Sequence, residues 1–152
     1  MNYWTEIVSY DSKAFSQVME IRETVFVKEQ KVPADLESDE FDAEAVHILV
    51  RNKEGIVATG RYFEDPDDRT VARLGRVAVL KPFRGNGYGK IVTGELIRLI
   101  SASGKFREIR IHSQSAVSDL YAGFGFIAKG VEFFEAGIPH IAMALKLDKK
   151  SK

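Results

Sequence analysis

The 152 residues, 45% of them hydrophobic, suffice for one globular domain with a buried core. Lys and Arg number 22 and Asp and Glu number 22, a formal balance of zero that argues against a general binder of nucleic acid or anionic membrane. The absence of cysteine removes disulfides, thiolate metal sites and a cysteine nucleophile together. Met1-Asn2-Tyr3-Trp4-Thr5-Glu6 lacks the basic-then-apolar profile of a signal peptide, and no apolar run approaches membrane-spanning length. A cytoplasmic protein is therefore expected.

In chain order, residues 5–10 are expected as the first strand. Asp11 or Ser12 can cap a helix running to about Gln30, with Phe15, Val18, Met19, Arg22, Val25 and Phe26 at helical spacing. Pro33 closes that region. Residues 31–44 form a loop rich in acid: Asp35, Glu37, Asp39, Glu40, Asp42 and Glu44. Two readings stay open for it, electrostatic steering of a cationic ligand and a merely solvated loop. A calcium-binding EF-hand is excluded, because a frame starting at Asp35 puts Glu40 where that loop requires glycine. Strands follow at 45–51 and 56–64, joined by Asn52-Lys-Glu-Gly55. Asp65-Pro-Asp-Asp68 turns the chain into a long strand over 70–80. Strict alternation along it puts Arg76 on the face of Leu74, Ala78 and Leu80, where it needs an anionic partner: substrate, Glu29 or a residue of the acidic loop.

The apolar run breaks at Pro82 into a loop with glycine at 85, 87 and 89, and a helical pattern over about 87–102 follows. Its apolar face is Val92, Leu96, Leu99 and Ile100. Strand, Gly-rich loop and helix N-terminus make an anion cradle, to which Arg84 and Lys90 add formal charge, so a phosphate ester is the expected ligand. A P-loop is excluded by Arg84 and Ile91 at its glycine and hydroxyl positions. The dinucleotide fingerprint fails in both frames, with Lys90 or Val92 as the third position. Next comes a strand over 108–113, where His112 and Gln114 share a face opposite Ile109 and Ile111. A short helix at 115–122 and strands at 126–134 and 140–147 complete a domain over 1–148, with 149–152 as a frayed basic tail. The order is β-α-β-β-β-α-β-α-β-β. The chain has three histidines, and no ligand spacing among them supports a metal site.

Arg84-x-x-Gly87-x-Gly89 behind a bulky strand resembles motif A of the GNAT N-acetyltransferases, which grips the pyrophosphate of acetyl-CoA. Tyr121-Ala-Gly-Phe-Gly125-Phe126 resembles the Y-x-x-x-G-F that closes motif B of that family. The segment from Arg22 to Pro33, the acidic loop, His47 and Gly137-Ile-Pro-His140 resemble its ElaA/YjcF-like subgroup. The resemblance thus covers almost the whole chain. It implies an α/β acyl-CoA N-acyltransferase (GNAT) fold, with a mixed central sheet of about seven strands flanked by helices. It also implies acetyl-CoA as co-substrate, no metal, and direct attack of an acceptor amine, small-molecule or protein, on the thioester. Arg84, Gly85, Asn86, Gly87, Tyr88, Gly89 and Lys90 would surround the pyrophosphate, with Val77 and Val79 along the pantetheine arm. Tyr121 would serve the leaving thiolate as proton donor, its other reading being an aromatic core residue. His112 is the first candidate for general base, against a purely structural histidine; His47, His140, Glu29, Asp39 and Glu40 are weaker ones. Arg76, Gln114 and His140 would face the acceptor. The family also suggests a homodimer through the late strands. A CoA-binding sensor or interaction module without turnover is the alternative, and an interaction protein whose Gly-rich loop is only a turn is a third reading. Arg22-x-x-Val25-Phe26 is also similar to a motif of acyl-homoserine lactone synthases, which share the fold but are longer and lack the loop at 84–89.

Overall fold

The computed structural model describes residues 2–34 and 39–147. A seven-stranded sheet runs in the order β1-β2-β3-β4-β5-β7-β6, built from β1 (Trp4–Val8), β2 (Val46–Asn52), β3 (Gly55–Asp65), β4 (Asp68–Val79), β5 (Glu108–Gln114), β6 (Ile127–Glu135) and β7 (Ile138–Lys146). Every pairing is antiparallel except β4 with β5. Helices α1 (Phe15–Arg22), α2 (Tyr88–Ser103) and α3 (Ser118–Ala122) complete it. Among the described residues no helix is long and apolar enough to cross a membrane.

The central strands are covered on both faces, so they read as near-continuous apolar runs. In β2, Ile48 and Val50 turn to one side, where they join Val57, Leu74 and the α2 residues Val92, Leu96 and Ile100. Leu49 turns to the other, joining Val8, Val18, Ile21, Val25 and Ala78 beneath α1. Burial of each such side chain stabilises the fold by about 1.5–3 kcal/mol. Contact between β3 and α2 is closest at Gly60, where a Cβ would lie 2.6 Å from Val92 Cγ1 and 2.9 Å from Leu96 Cδ1.

The element order is the one expected, and four details differ. Neither Asp11 nor Ser12 caps α1. Ser12 Oγ donates to the Ser9 carbonyl at 2.8 Å inside a preceding turn, and Ala14 holds the cap position. The helix does run toward Gln30, but Glu23–Glu29 is a π-helical segment, with Gln30 N donating to Val25 O at 3.0 Å. On α2, Tyr88 and Thr93 belong to the buried face and Leu99 is only partly buried.

The fourth difference is the largest. Alternation in β4 breaks at Arg76, which sits at φ 51. Thr59 pairs with Ala78 and Arg61 with Gly75, so Gly60 alone opposes Arg76 and Val77 in a β-bulge. The extra residue flips the pleat. Leu74, Val77 and Val79 face α2, while Ala78 and Leu80 face α1. Arg76 therefore does not share a face with Leu74, Ala78 and Leu80 together, because no single face contains them.

Candidate active site

The bulge has a consequence for the sheet. The parallel β4–β5 pairing is limited to Val71–Arg73 with Glu108–Arg110, after which the strands part. A cleft of about 630 Å³ opens between them, lined by Val77, Val79, Gly89, His112, Gln114 and Tyr121 among others. Parting two parallel strands leaves backbone polar groups facing the gap, which an amide-bearing ligand can satisfy.

At one end of the cleft stands the N-terminus of α2. Gly85 and Gly87 have φ of 80 and 87, a region open to glycine without cost, and no atom beyond the adjacent residues lies within 4 Å of where their Cβ atoms would be. Ile91 is the first amide of the helix to donate inside it, to Gly87 O at 3.1 Å. The preceding amides are the orphan donors of any helix start and suit an anion. Asn86 secures the loop, its Nδ2 donating to Phe83 O at 3.1 Å. Tyr88 contributes nothing beyond its amide, since its ring is buried beside Phe83 and its hydroxyl accepts from Asn52 at 3.2 Å. Lys90 is exposed. Arg84 is not a free cation: its guanidinium makes bonds of 2.5 and 2.7 Å to Glu29, and its Nε donates to Val79 O at 2.9 Å. Hydrogen bonding from Arg84 holds the Glu29 carboxyl below its usual range. Glu29 is thereby a partner of the loop and lies outside the lining of the cleft.

Tyr121 is 7% exposed on α3, with its ring edge-on to Phe126 at 6.0 Å. Burial pushes its hydroxyl up to about 12, opposed by the nearby Thr93 hydroxyl, although no hydrogen bond of normal geometry satisfies Thr93 Oγ1. The phenol is therefore protonated at neutral pH.

His112 on β5, also in the lining of the cleft, is well exposed, and its Nδ1 lies 3.0 Å from Glu135 Oε1. His140 is buried, its Nδ1 donating to Ile138 O at 2.7 Å. Gln114 Nε2 donates to Gln30 Oε1 at 2.9 Å, tying β5 to the end of the π-helical segment. Arg76 reaches Asp39 at 3.1 Å, so its anionic partner is a residue of the acidic loop, though it also lines the cleft.

Among the described residues of the acidic loop, Asp39 and Asp42 are internal counter-ions and not solvated charges. Asp42 is 1% exposed and bonds Arg22 at 2.8 Å and Arg61 at 2.6 Å, while Asp39 bonds Arg61 at 2.7 Å. Burial alone raises the Asp42 carboxyl, but hydrogen bonding and charge from Arg22, with the charge of Arg61, outweigh it and hold it at about 2. Glu40 and Glu44 are exposed, and Asp35 and Glu37 lie outside the described residues. His47 belongs to this buried network. Its Nε2 donates to Asp42 O at 3.0 Å, and burial pushes its basicity down, so it is a neutral structural histidine away from the cleft. Arg22, fully buried, has a structural role in the same network. Among the described residues no group of three or more His, Asp or Glu side chains is arranged to hold a metal ion.

Sequence reasoning missed Glu135. Its signal was weak, a carboxylate beside a Gly-containing turn, and only the pairing of strands brings it to His112.

A sheet parted beside a Gly-rich helix N-terminus defines an acyl-CoA N-acyltransferase fold. The signature of the acetyltransferase (GNAT) domain matches residues 9–147, and the chain belongs to that family. An uncharacterized N-acetyltransferase of Bacillus subtilis, YjcF, is 33% identical over 138 residues, covering 90% of this chain and 96% of its own. The crystal structure of Escherichia coli ElaA superposes with a TM-score of 0.83 at 26% identity, over 94% of this chain and 99% of that one. A Bacillus subtilis acetyltransferase solved in complex with CoA has the same fold, with a TM-score of 0.71 at 14% identity, over 96% of this chain and 99% of that one.

Proposed function

We propose that the protein transfers the acetyl group of acetyl-CoA to a primary amine by direct attack within a ternary complex. The observation that carries this reading is the alignment of three features along one cleft: the glycine cradle at the start of α2, the parted β4 and β5, and Tyr121 and His112 together in its lining. The amides of residues 85–90 would hold the pyrophosphate, and the β4 backbone at Val77 and Val79 the pantetheine arm. Bound there, acetyl-CoA supplies an activated acyl group and a thiolate leaving group. A cytoplasmic location goes with this reading, since that co-substrate is an intracellular metabolite.

An alkylamine of pKa ~10 carries an extra proton at neutral pH, and its removal costs roughly 4 kcal/mol. His112 has the exposure and position to take the proton that nitrogen gives up as the N–C bond forms. As the C–S bond breaks, Tyr121 serves the sulfur. A phenol held at about 12 is a poor full donor to a thiolate of pKa about 8.5; complete transfer would be uphill by about 5 kcal/mol. Tyr121 therefore stabilises the departing sulfur by hydrogen bonding, and solvent delivers the proton as CoA leaves. A carboxylate in the cleft lining, Glu135 at 3.0 Å from His112, favours this reading over a non-catalytic module.

Calorimetric titration with acetyl-CoA and desulfo-CoA tests the co-substrate, with Arg84→Glu and Gly87→Glu as controls. Micromolar binding lost in both variants is expected, together with thiol release when primary amines are added. A folded wild type that binds neither compound would remove the reading.

A further inference from the structure

The strand order separates His112 from Glu135 by a whole strand, β7, yet their side chains meet. Two devices in β6 and β7 bring this about. Lys129 pairs with Ala142 and Phe133 with His140, so β6 spends three intervening residues, including Gly130 at φ 79, against one on β7. The bulge keeps Lys129, Phe133 and Glu135 on one face and advances Glu135 to the position opposite Ile138. The two-residue turn that follows, Ala136 at φ 50 and Gly137 at φ 77, fixes that register. A non-glycine residue in the left-handed region costs about 1–2 kcal/mol, and such strain clusters at functional sites.

Around the pair, Phe133 packs edge-on to His112 at 5.0 Å and stacks on His140 at 6.0 Å. The charged or titratable groups lining the cavities that the pair borders are Arg61, Arg73, Arg76, Arg84 and Asp65 on or beside β3 and β4, Glu108 and Arg110 from β5, Tyr121 from α3, Lys129 from β6 and His140 from β7. Arg73 pairs with Asp65, Arg110 with Glu108 and Arg76 with Asp39. The hydrogen bond from His112 is the chief influence holding the Glu135 carboxyl below its usual range, against the effect of burial. An ionised carboxylate has no hydrogen to give, so the shared one belongs to Nδ1.

We propose that Glu135 is a positioning residue for the acetyl transfer: by accepting the Nδ1–H of His112 it fixes the ring and leaves Nε2 as the base toward the acceptor amine. The proposal rests on the acetyltransferase reading above. It also separates the two cleft histidines. His140 spends its Nδ1–H on the carbonyl of Ile138 at the start of its own strand, whereas His112 has an anion behind it to stabilise the imidazolium formed when Nε2 takes the proton.

The test uses Glu135→Ala and Glu135→Gln, since glutamine keeps an acceptor oxygen and loses the charge. Nitrogen NMR of the histidine rings near pH 8 reads the tautomer without requiring turnover. Wild type and Glu135→Gln should show His112 protonated at Nδ1, and Glu135→Ala should shift it toward Nε2. With the fastest amine from a panel of alkylamines, aromatic ethylamines, amino sugars and lysine peptides, kcat should fall about 30-fold in Glu135→Ala and less in Glu135→Gln. Affinity for acetyl-CoA should stay within about twofold of wild type. An Nε2-protonated His112 in wild type, or a Glu135→Ala variant with unchanged kcat, would overturn the Glu135 assignment and leave the acetyltransferase reading standing. Wild type that binds acetyl-CoA but acetylates no amine would overturn that reading and the catalytic role of Glu135 with it, while the tautomer still reports the contact.

Discussion

Tyr121 combines a position on the cleft with a hydroxyl too weakly acidic to release its proton outright. This predicts a specific kinetic signature. Tyr121→Phe should lower kcat about 100-fold while leaving acetyl-CoA affinity within about twofold, measured by steady-state kinetics beside calorimetry. Equal loss of both would make it a packing residue. Asp42 predicts an acid dependence of stability. Its folded value of about 2 lies below the unfolded 3.8, so its contribution is complete above about pH 5 and is lost as pH falls toward 2. Linkage puts that contribution at about 2 kcal/mol. Urea unfolding between pH 7 and 3 should show the decline, and Asp42→Asn should flatten it while costing about 3 kcal/mol at pH 7, because buried Arg22 and Arg61 lose the carboxylate they share, with Asp39 still paired to Arg61. A wild type equally stable at pH 3 and 7 would contradict this account.

At the scale of elements, the contact of β3 with α2 and the latch between α1 and the phosphate loop each make a prediction. Gly60→Ala should destabilise the protein by about 1–3 kcal/mol, because the added methyl meets Val92 and Leu96 side chains inside a packed core. Denaturant titration decides it, and a neutral result would mean that α2 moves freely. The Glu29–Arg84 pair joins the π-helical segment to the loop that is to receive a diphosphate. Glu29→Gln should release Arg84 for that anion and tighten acetyl-CoA up to roughly fivefold, the modest gain expected of an exposed pair. Weaker binding in the variant would show instead that Glu29 holds Arg84 in its productive place.

For the whole molecule, a ligand bridging β4, α2 and the β5 side of the cleft must stabilise the native state in proportion to its saturation. Acetyl-CoA at about 100 times its Kd adds about 2.7 kcal/mol, a rise of roughly 5–10 °C in Tm for a chain of this size. Thermal unfolding with and without the compound measures it. No shift at saturating concentration would sink the co-substrate assignment independently of any assay of turnover.

The sequence by itself determined the element order and the strand–loop–helix cradle, because periodicity, glycine and turn chemistry are local properties of the chain; Tyr121 and His112 are singled out through the resemblance to the family. Helix limits shifted for a related reason: Ser12 engages Ser9 before the helix begins, and a π-helical segment obeys no 3.6-residue period. Tertiary structure alone decided the rest. Arg76 left its expected face because one residue of β3 opposes two of β4, a count that exists only once strands pair. Asp39 and Asp42 became internal counter-ions because Arg22 and Arg61, distant in sequence, are buried beside them. Glu135 reached His112 across β7 through a bulge and a strained turn. Long-range pairing sets such contacts, and no local pattern in the chain encodes which charges will meet.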